Sequence, residues 1–529
     1  MKRVITNATI IDGTGGPSYV KNLVVDGDRI AAITEEVPDD AEVWDGTGLT
    51  VAPGFIDTHS HSDLNVLRKP QLLPKIMQGI TTEVLGQDGI SMAPLPEEYI
   101  SAWRKNLAGL DGDSNSVDWH YKTTARYLEL IEEAKPAINE TYLVPHGNVR
   151  MEAMGLFNEQ PNKATLEKMK DILRRELDAG AWGLSTGLIY MPCAYAETEE
   201  LIELCKVVAE YDGVFVVHQR SEADDIVNSM KEVVRIGRES GVKVHFSHFK
   251  ICGHDNWKLM PEVIKVLEEG EKEGIRISFD QYPYVAGSTM LGVILPPWAH
   301  DGGTNKLLER LTKKSAREKI IYDIKHGIPG WDNFVDFAGL TNIYITSVKT
   351  EKNRDAVGLS LTEFAKLRGK DVNDATFDLL YEEENAVGMV DFYGEEEQVK
   401  LMMKRPEMNV CTDGLMKGKP HPRVYGAFAR VLGKYAREEQ VIPMEKAVYK
   451  MTKKAAAVLG LKERGEIKEG YFADLVVFDS KTIKDMGTYT EPDQYPVGIK
   501  YVFVNGVPTV VNGEYQEDAV RSGRVLRRK

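Results

Sequence analysis

The chain is poor in cysteine. It carries four thiols among 529 residues, Cys193, Cys205, Cys252 and Cys411, with no Cys-x-x-Cys spacing. That density excludes a disulfide-stapled secreted scaffold and a thiol-rich zinc module. No apolar run reaches the roughly 18 residues that a membrane-spanning helix needs. The opening MKRVITNATIIDG has neither the apolar segment nor the small-residue cleavage site of a signal peptide. A cytoplasmic location with no membrane partner is the expectation. Excess positive charge is lacking as well: the formal net charge is -15. An acidic surface repels phosphate backbones, so nucleic acid is not an expected partner. Neither a P-loop nor a G-x-G-x-x-G segment occurs, which removes the usual phosphate cradles. Short repeats and low-complexity tracts are missing too. The basic end, Arg521 to Lys529, reads as a short solvated tail.

Two textures fill the chain. VITNATIIDG, KNLVVDGDRIAAI and AEVWDGTGLTVAPG at the start, and GYFADLVVFD and IKYVFVNGVPTVVNGEY at the end, are β-branched runs punctuated by Asp-Gly and Asn-Gly turns. They predict one small β-domain built from residues 1–52 and 462–529. Between them, from 53 to 461, strand-like runs (TTEVLG, INETYLVPHG, GAWGLSTG, GVFVVHQR, VKVHFSHFK, IRISFDQYPY, MNVCTDG) alternate with helix-patterned stretches such as TLEKMKDILRRELDAG. Such alternation implies parallel strands with helical crossovers. The length suits an α/β (β/α)₈ TIM barrel, about 250 residues with room for insertions. The rhythm breaks from about 288 to 347, which reads as an insertion near the barrel mouth.

The candidate chemistry sits at the ends of the apolar runs. Gly54-Phe55-Ile56-Asp57-Thr58-His59-Ser60-His61 places two histidines two apart on an extended segment, so both side chains face one way and can share an ion. Asp88 follows TTEVLG, His218 closes GVFVVHQR, His248 closes VKVHFSHFK and Asp413 ends MNVCTDG. In a TIM barrel the carboxyl ends of the strands form the active-site face. Six ligand-type residues at such ends outweigh the plainer reading of each as a packed polar residue. By contrast, His146 and Arg150 suit loop packing at least as well as a site role, Arg220 suits support of its neighbours as well as contact with substrate, and His245 sits mid-strand.

The motifs GFIDTHSHSD, GITTEVLGQDGISMAP, LSTGLIYMP, VVHQRSEAD, SHFK, DQYPYVAGSTML and HPRVYGAFARVLGKYARE, in this order, resemble the amidohydrolase superfamily and, more closely, its N-acyl-D-amino-acid deacylases. The resemblance spans nearly the whole chain. It implies a metal-dependent hydrolase of small-molecule N-acyl-D-amino acids. Divalent ions, Zn²⁺ foremost and one or two in number, would be held by His59, His61, Asp88, His218, His248 and Asp413. His218 and His248 would form the tighter site, and Asp413 would be the catalytic carboxylate. Lys250, Tyr282 and Ser288 would hold the substrate carboxylate, with Tyr190 lining the same pocket. Gly86-Gln87-Asp88-Gly89 departs from the family's Gly-Asn-Cys-Gly: an oxygen donor, harder than thiolate, replaces the cysteine ligand.

Two other readings stand beside this one. A cyclic-amide hydrolase of the hydantoinase or dihydroorotase kind shares the barrel and the HxH pair, but it carries a bridging lysine, and GAWGLSTG ends in none. A catalytically inactive barrel that only binds a ligand would have lost ligands, whereas all six candidate positions are filled. For the substrate side chain, Leu295-Pro296-Pro297-Trp298 lacks the basic residue that would pair with an acidic group, so neutral or apolar D-side chains are expected. Arg354 is the alternative charge, and packing of the insertion is the plainer role for that stretch. Oligomeric state is left open.

Overall fold

In the computed structural model, which describes residues 2–529, eight parallel strands form the catalytic barrel. They are β1 (Phe55–Asp57), β2 (Ile80–Leu85), β3 (Asn139–Tyr142, running on into Val144–Pro145), β4 (Gly183–Gly187), β5 (Val214–His218), β6 (Lys243–Phe246), β7 (Ile277–Gln281) and β8 (Met408–Val410). Each pairs in parallel with the next. The ring closes where Asp413 N donates to His59 O at 2.9 Å and Ser60 bridges Gly414. The crossover helices take their positions from one apolar stripe each. In Lys163–Asp178 the buried residues include Met169, Ile172, Leu173 and Leu177, spaced at helical intervals, and Asn162 caps the start by accepting from Thr165 N at 3.0 Å. Burying each such side chain stabilises the fold by about 1.5–3 kcal/mol.

Both chain ends join one nine-stranded sheet. Its seam is Thr50–Pro53, antiparallel to Leu475–Phe478. Alternate residues such as Ile5, Leu23, Val25, Val51, Leu475 and Val477 share a separate apolar core.

The insertion is larger than its sequence implied. An antiparallel sheet of Ala286–Met290, Gly388–Phe392 and Ile343–Ser347 frames it, so it extends past 347 to Phe392. Helices Leu361–Arg368 and Val372–Glu382 have ordinary amphipathic patterns and pass for barrel helices in the sequence. The terminal segment differs as well: it is not a solvated tail. Val525 forms a parallel bridge to Glu140, Leu526 O accepts from Trp182 Nε1 at 2.6 Å, and Leu526 packs beside Trp182. Backbone pairing beneath β3 ties this charged segment down despite its composition.

A polar cluster fills the barrel below the site. Fully buried Lys75 donates to Asp57 Oδ2 at 2.6 Å, Ser60 Oγ at 2.8 Å and Thr412 Oγ1 at 2.6 Å, with Glu83 at 3.3 Å. Asp57 Oδ1 also accepts from Thr412 N at 2.8 Å. A buried ammonium is tolerated only when paired this fully. The pairing ties the loop after β1, which carries His59 and His61, to the loop after β8, which carries Asp413.

Candidate metal centre and substrate cavity

The six ligand-type residues leave the carboxyl ends of β1, β2, β5, β6 and β8 and meet in one buried cluster. Asp88 lies at its middle. Its Oδ1 is 3.6 Å from His59 Nε2 and 3.6 Å from His248 Nε2, and its Oδ2 is 3.5 Å from His61 Nε2. Asp413 Oδ1 is 3.3 Å from His61 Nε2 and 3.7 Å from His59 Nε2. His218 Nδ1 is 2.9 Å from His248 Nε2. Asp88 thus sets Oδ1 between His59 and His248 and Oδ2 beside His61, so one carboxylate faces both histidine pairs.

Three of these residues have left-handed backbones: Asp88 at φ 55°, His248 at 34° and Asp413 at 47°. Non-glycine residues there carry about 1–3 kcal/mol of strain each. Specific bonds hold them. Asp63 Oδ1 accepts from Gly86 N at 2.8 Å and Ser91 Oγ at 2.5 Å, pinning the Asp88 loop to the HxH segment. His248 N donates to Asp280, and Asp413 N to His59 O.

The donor set fits a divalent cation. Asp88 Oδ1 and His218 Nε2 are buried without a hydrogen-bond partner, and polar atoms left so are costly unless something binds them. Three overlapping triplets, His59–His61–Asp413, His59–Asp88–His248 and His218–Glu222–His248, have donor atoms within 4.8 Å of one another. Carboxylates stand behind the imidazoles, as they do behind metal-bound histidines. Asp111 Oδ1 is 3.6 Å from His61 Nδ1, and Glu222 Oε1 is 3.2 Å from His248 Nδ1. Burial lowers His218 to about 4, which favours the neutral imidazole that a ligand must be. Burial opposes ionisation of Asp88, but His59, His248 and His61 hold its carboxyl well below the ordinary range.

A cavity opens beside the cluster. Lys250, Tyr282, Ser288 and Tyr190 all line it, together with His61, Asp88, His218, His248 and Asp413. Their hydrogen bonds qualify the sequence expectation. Ser288 Oγ donates to Met389 O at 2.8 Å, Tyr190 OH pairs with Thr289 Oγ1 at 2.8 Å, and Tyr282 OH pairs with Tyr393 OH. Lys250 Nζ sits 2.6 Å from Glu222 Oε2. Two further residues of this site escape a reading of the sequence. Arg423 is fully buried, reaches Asp413 Oδ2 at 2.9 Å from Nη1, donates to Ser288 O at 2.9 Å and stacks on Tyr282. Glu222 stands four residues after His218. Both lie in motifs already singled out, HPRVYGAF and HQRSEAD, but a charged side chain near a motif carries no mark of burial.

The residues with an open supporting reading sit in local ion pairs. His146 and Arg150 converge on Glu200 at 2.7 and 2.9 Å, Arg220 pairs with Glu232 at 2.9 Å, and His245 reaches Asp280 at 2.9 Å. The Leu295–Trp298 stretch does not line the cavity; Trp298 Nε1 donates to Asp323 within the insertion. Arg354 is an exposed partner of Glu351. The apolar lining comes instead from Leu110, Phe334 and Phe337.

Comparison with known proteins gives the family. The amidohydrolase family profile matches residues 42–271 and 372–510, on either side of much of the insertion. The D-aminoacylase of Alcaligenes xylosoxydans xylosoxydans is 35% identical over 99% of this chain and 97% of that protein. The N-acyl-D-glutamate deacylase of the same organism is 34% identical over 99% and 96%. The crystal structure of N-acyl-D-glutamate deacylase from Bordetella bronchiseptica, complexed with zinc and a phosphonate mimic of the tetrahedral intermediate, is similar at TM-score 0.84, 34% identity and 99% coverage of both chains. With six ligand-type residues gathered on a TIM barrel and relatives matched end to end, the chain belongs to the amidohydrolase family and, within it, to the N-acyl-D-amino-acid deacylases.

Proposed function

We propose that the protein hydrolyses the amide bond of N-acyl-D-amino acids, releasing a carboxylate and the free D-amino acid. The observation that carries this reading is the sharing of one cavity by a buried His/Asp cluster, the Asp413 carboxylate and two cations, Lys250 and Arg423. His218 and His248 would hold the tighter ion, His59 and His61 a second, and Asp88 would bridge them. Such a bound divalent ion, zinc in the first instance, polarises an amide carbonyl and makes water a nucleophile at neutral pH. Asp413, at the rim of the cluster, accepts the attacking water's proton and returns it to the leaving nitrogen. Lys250 and Arg423, with Tyr282 and the Ser288 segment, seat the substrate's α-carboxylate. Arg423 Nε is buried without a hydrogen-bond acceptor, so the guanidinium has a donor to spare for an anion. Tyr190 and the apolar wall close the pocket. The four buried free thiols suit a reducing cytoplasm, and among the described residues no helix is long and apolar enough to cross a membrane.

The test is hydrolysis of paired N-acetyl-D- and N-acetyl-L-amino acids beside metal analysis. Metal-dependent turnover of the D-isomers is expected, and full activity in a metal-free preparation overturns the reading. Cyclic-amide hydrolysis is disfavoured because β4 ends at Gly187-Leu188, with no lysine to bridge, while Asp88 occupies the middle of the cluster.

Asp88→Ala is expected to weaken metal binding and to slow turnover, read by metal content after dialysis. If content and rate both stay at wild-type levels, Asp88 is only a turn residue before Gly89.

The side chain preferred is neutral or apolar. Leu110, Phe334 and Phe337 would cover it, each Å² of apolar contact contributing about 25 cal/mol. Both cations of the cavity are committed to the α-carboxylate, and a second, unpaired carboxylate is costly to bury. N-acetyl-D-leucine should exceed N-acetyl-D-glutamate in kcat/KM by about tenfold or more. The reverse order would show that a basic group reaches the side chain.

A further inference from the structure

Asp391 stands in the insertion's antiparallel sheet directly opposite Gly287. It is 2% exposed, and its Oδ2 has no hydrogen-bond partner. Its side chain borders the same cavity as Lys250, Tyr282, Ser288 and Arg423. Gly287 keeps that border open. A Cβ at Gly287 would come within 2.8 Å of Tyr393 Cε1 and 3.1 Å of Asp391 Oδ1. An ionised acid on the wall of a seat for a carboxylate would repel the group the seat is built to hold. A neutral acid would not, because a protonated carboxyl carries an O–H donor.

We propose that Asp391 is a substrate-binding residue that works as a neutral carboxylic acid, donating a hydrogen bond to the α-carboxylate seated by Lys250 and Arg423. The proposal rests on the α-carboxylate seat described under the proposed function. The titratable groups around Asp391 come from every side of the cavity. Lys250 and Cys252 follow β6, Glu222 follows β5, Tyr282 follows β7, Tyr393 lies just past Asp391's own strand, Asp332 and Arg423 stand beside them, and the His/Asp cluster with Tyr190 lines the rest of the cavity. Burial pushes Asp391 up to about 7, against the pull of Lys250 and Arg423 and with support from Glu222. A bound carboxylate adds negative charge and favours the protonated form further. Substrate binding above neutral pH therefore takes up one proton, and as pH rises through the Asp391 transition the affinity falls.

The test is KM for N-acetyl-D-leucine from about pH 6 to about pH 9, in wild type, Asp391→Asn and Asp391→Ala, on the metal-loaded enzyme. Wild-type KM should rise about tenfold per pH unit above the transition. Asp391→Asn keeps a donor and cannot ionise, so its KM should match wild type near pH 6 and stay flat. Asp391→Ala should raise KM at low pH with kcat within about threefold of wild type, a split that general structural damage does not produce. Asp391→Ser is the second neutral donor if the asparagine variant does not fold. A wild-type-like rise of KM in Asp391→Asn overturns the proposal. So does a fall of KM at every pH, the result of an ionised Asp391 that competes for Lys250 and Arg423. A wild-type enzyme that hydrolyses no N-acyl-D-amino acid overturns the underlying function instead, which separates the two failures.

Discussion

Asp413→Asn is expected to keep the fold and lower kcat about 10²- to 10⁴-fold, the usual weight of a general acid–base group. The substitution preserves the volume at the end of β8, and the backbone bond from residue 413 N to His59 O at 2.9 Å does not involve the side chain. What disappears is the carboxylate whose Oδ1 faces His61 at 3.3 Å and whose Oδ2 meets Arg423 at 2.9 Å. Burial opposes charge on Asp413, but Arg423 first, then His248, His61 and His59, hold its carboxyl below the ordinary carboxylate range, so it is ionised in the resting site. KM should move little beside kcat, because an interaction made mainly in the transition state is removed. Steady-state rates with a circular-dichroism melt as the folding control decide it. A variant with near-normal kcat would take the proton shuttle away from Asp413.

The second large effect separates the two halves of the metal centre. His218→Ala should lose most bound metal after dialysis and more than about 10²-fold of activity, whereas His59→Ala should retain the tighter ion and part of the rate. His218 ends β5 and His248 follows the adjacent parallel strand β6 by two residues, so their 2.9 Å approach is set by the barrel itself. Glu222, 3.2 Å from His248 Nδ1, orients the pair further. His59 and His61 belong to the segment that follows β1 and lean on Asp88 and Asp413 for their remaining neighbours. Elemental analysis of the two variants beside wild type gives the answer. Equal loss of metal from both would mean one cooperative site, and retention in His218→Ala would reverse the assignment.

The acidic relatives sharpen the substrate question. A D-aminoacylase and an N-acyl-D-glutamate deacylase stand at 35% and 34% identity, too close to each other for similarity to choose a side chain. The choice falls to the cavity, whose two cations, Lys250 and Arg423, are taken by the α-carboxylate in the proposed seat, which leaves Leu110, Phe334 and Phe337 for the side chain. That division supports the expected preference for N-acetyl-D-leucine over N-acetyl-D-glutamate.

Read on its own, the sequence determined the barrel, the terminal β-domain and the six residues that gather in one cluster, and the reason is local. Strand and helix periods are written in consecutive residues, and a TIM barrel always presents strand ends on one face. His59, His61, Asp88, His218, His248 and Asp413 are therefore gathered by their positions after apolar runs alone. Tertiary structure decided the rest. Arg423 and Glu222 carry ordinary charges in the sequence, and only packing reveals that one is fully buried against Asp413 and the other stands behind His248 and Lys250. The insertion's true extent to Phe392 depends on strand pairing between Ala286–Met290 and Gly388–Phe392, a contact across about a hundred residues that no periodicity encodes. The pairing of Val525 with Glu140 is hidden for the same reason: backbone hydrogen bonds hold that segment, and they leave no trace in side-chain composition. Asp391 and Gly287 meet only because that same sheet sets them opposite one another, which turns an unremarked acid and a missing side chain into one wall of the substrate cavity.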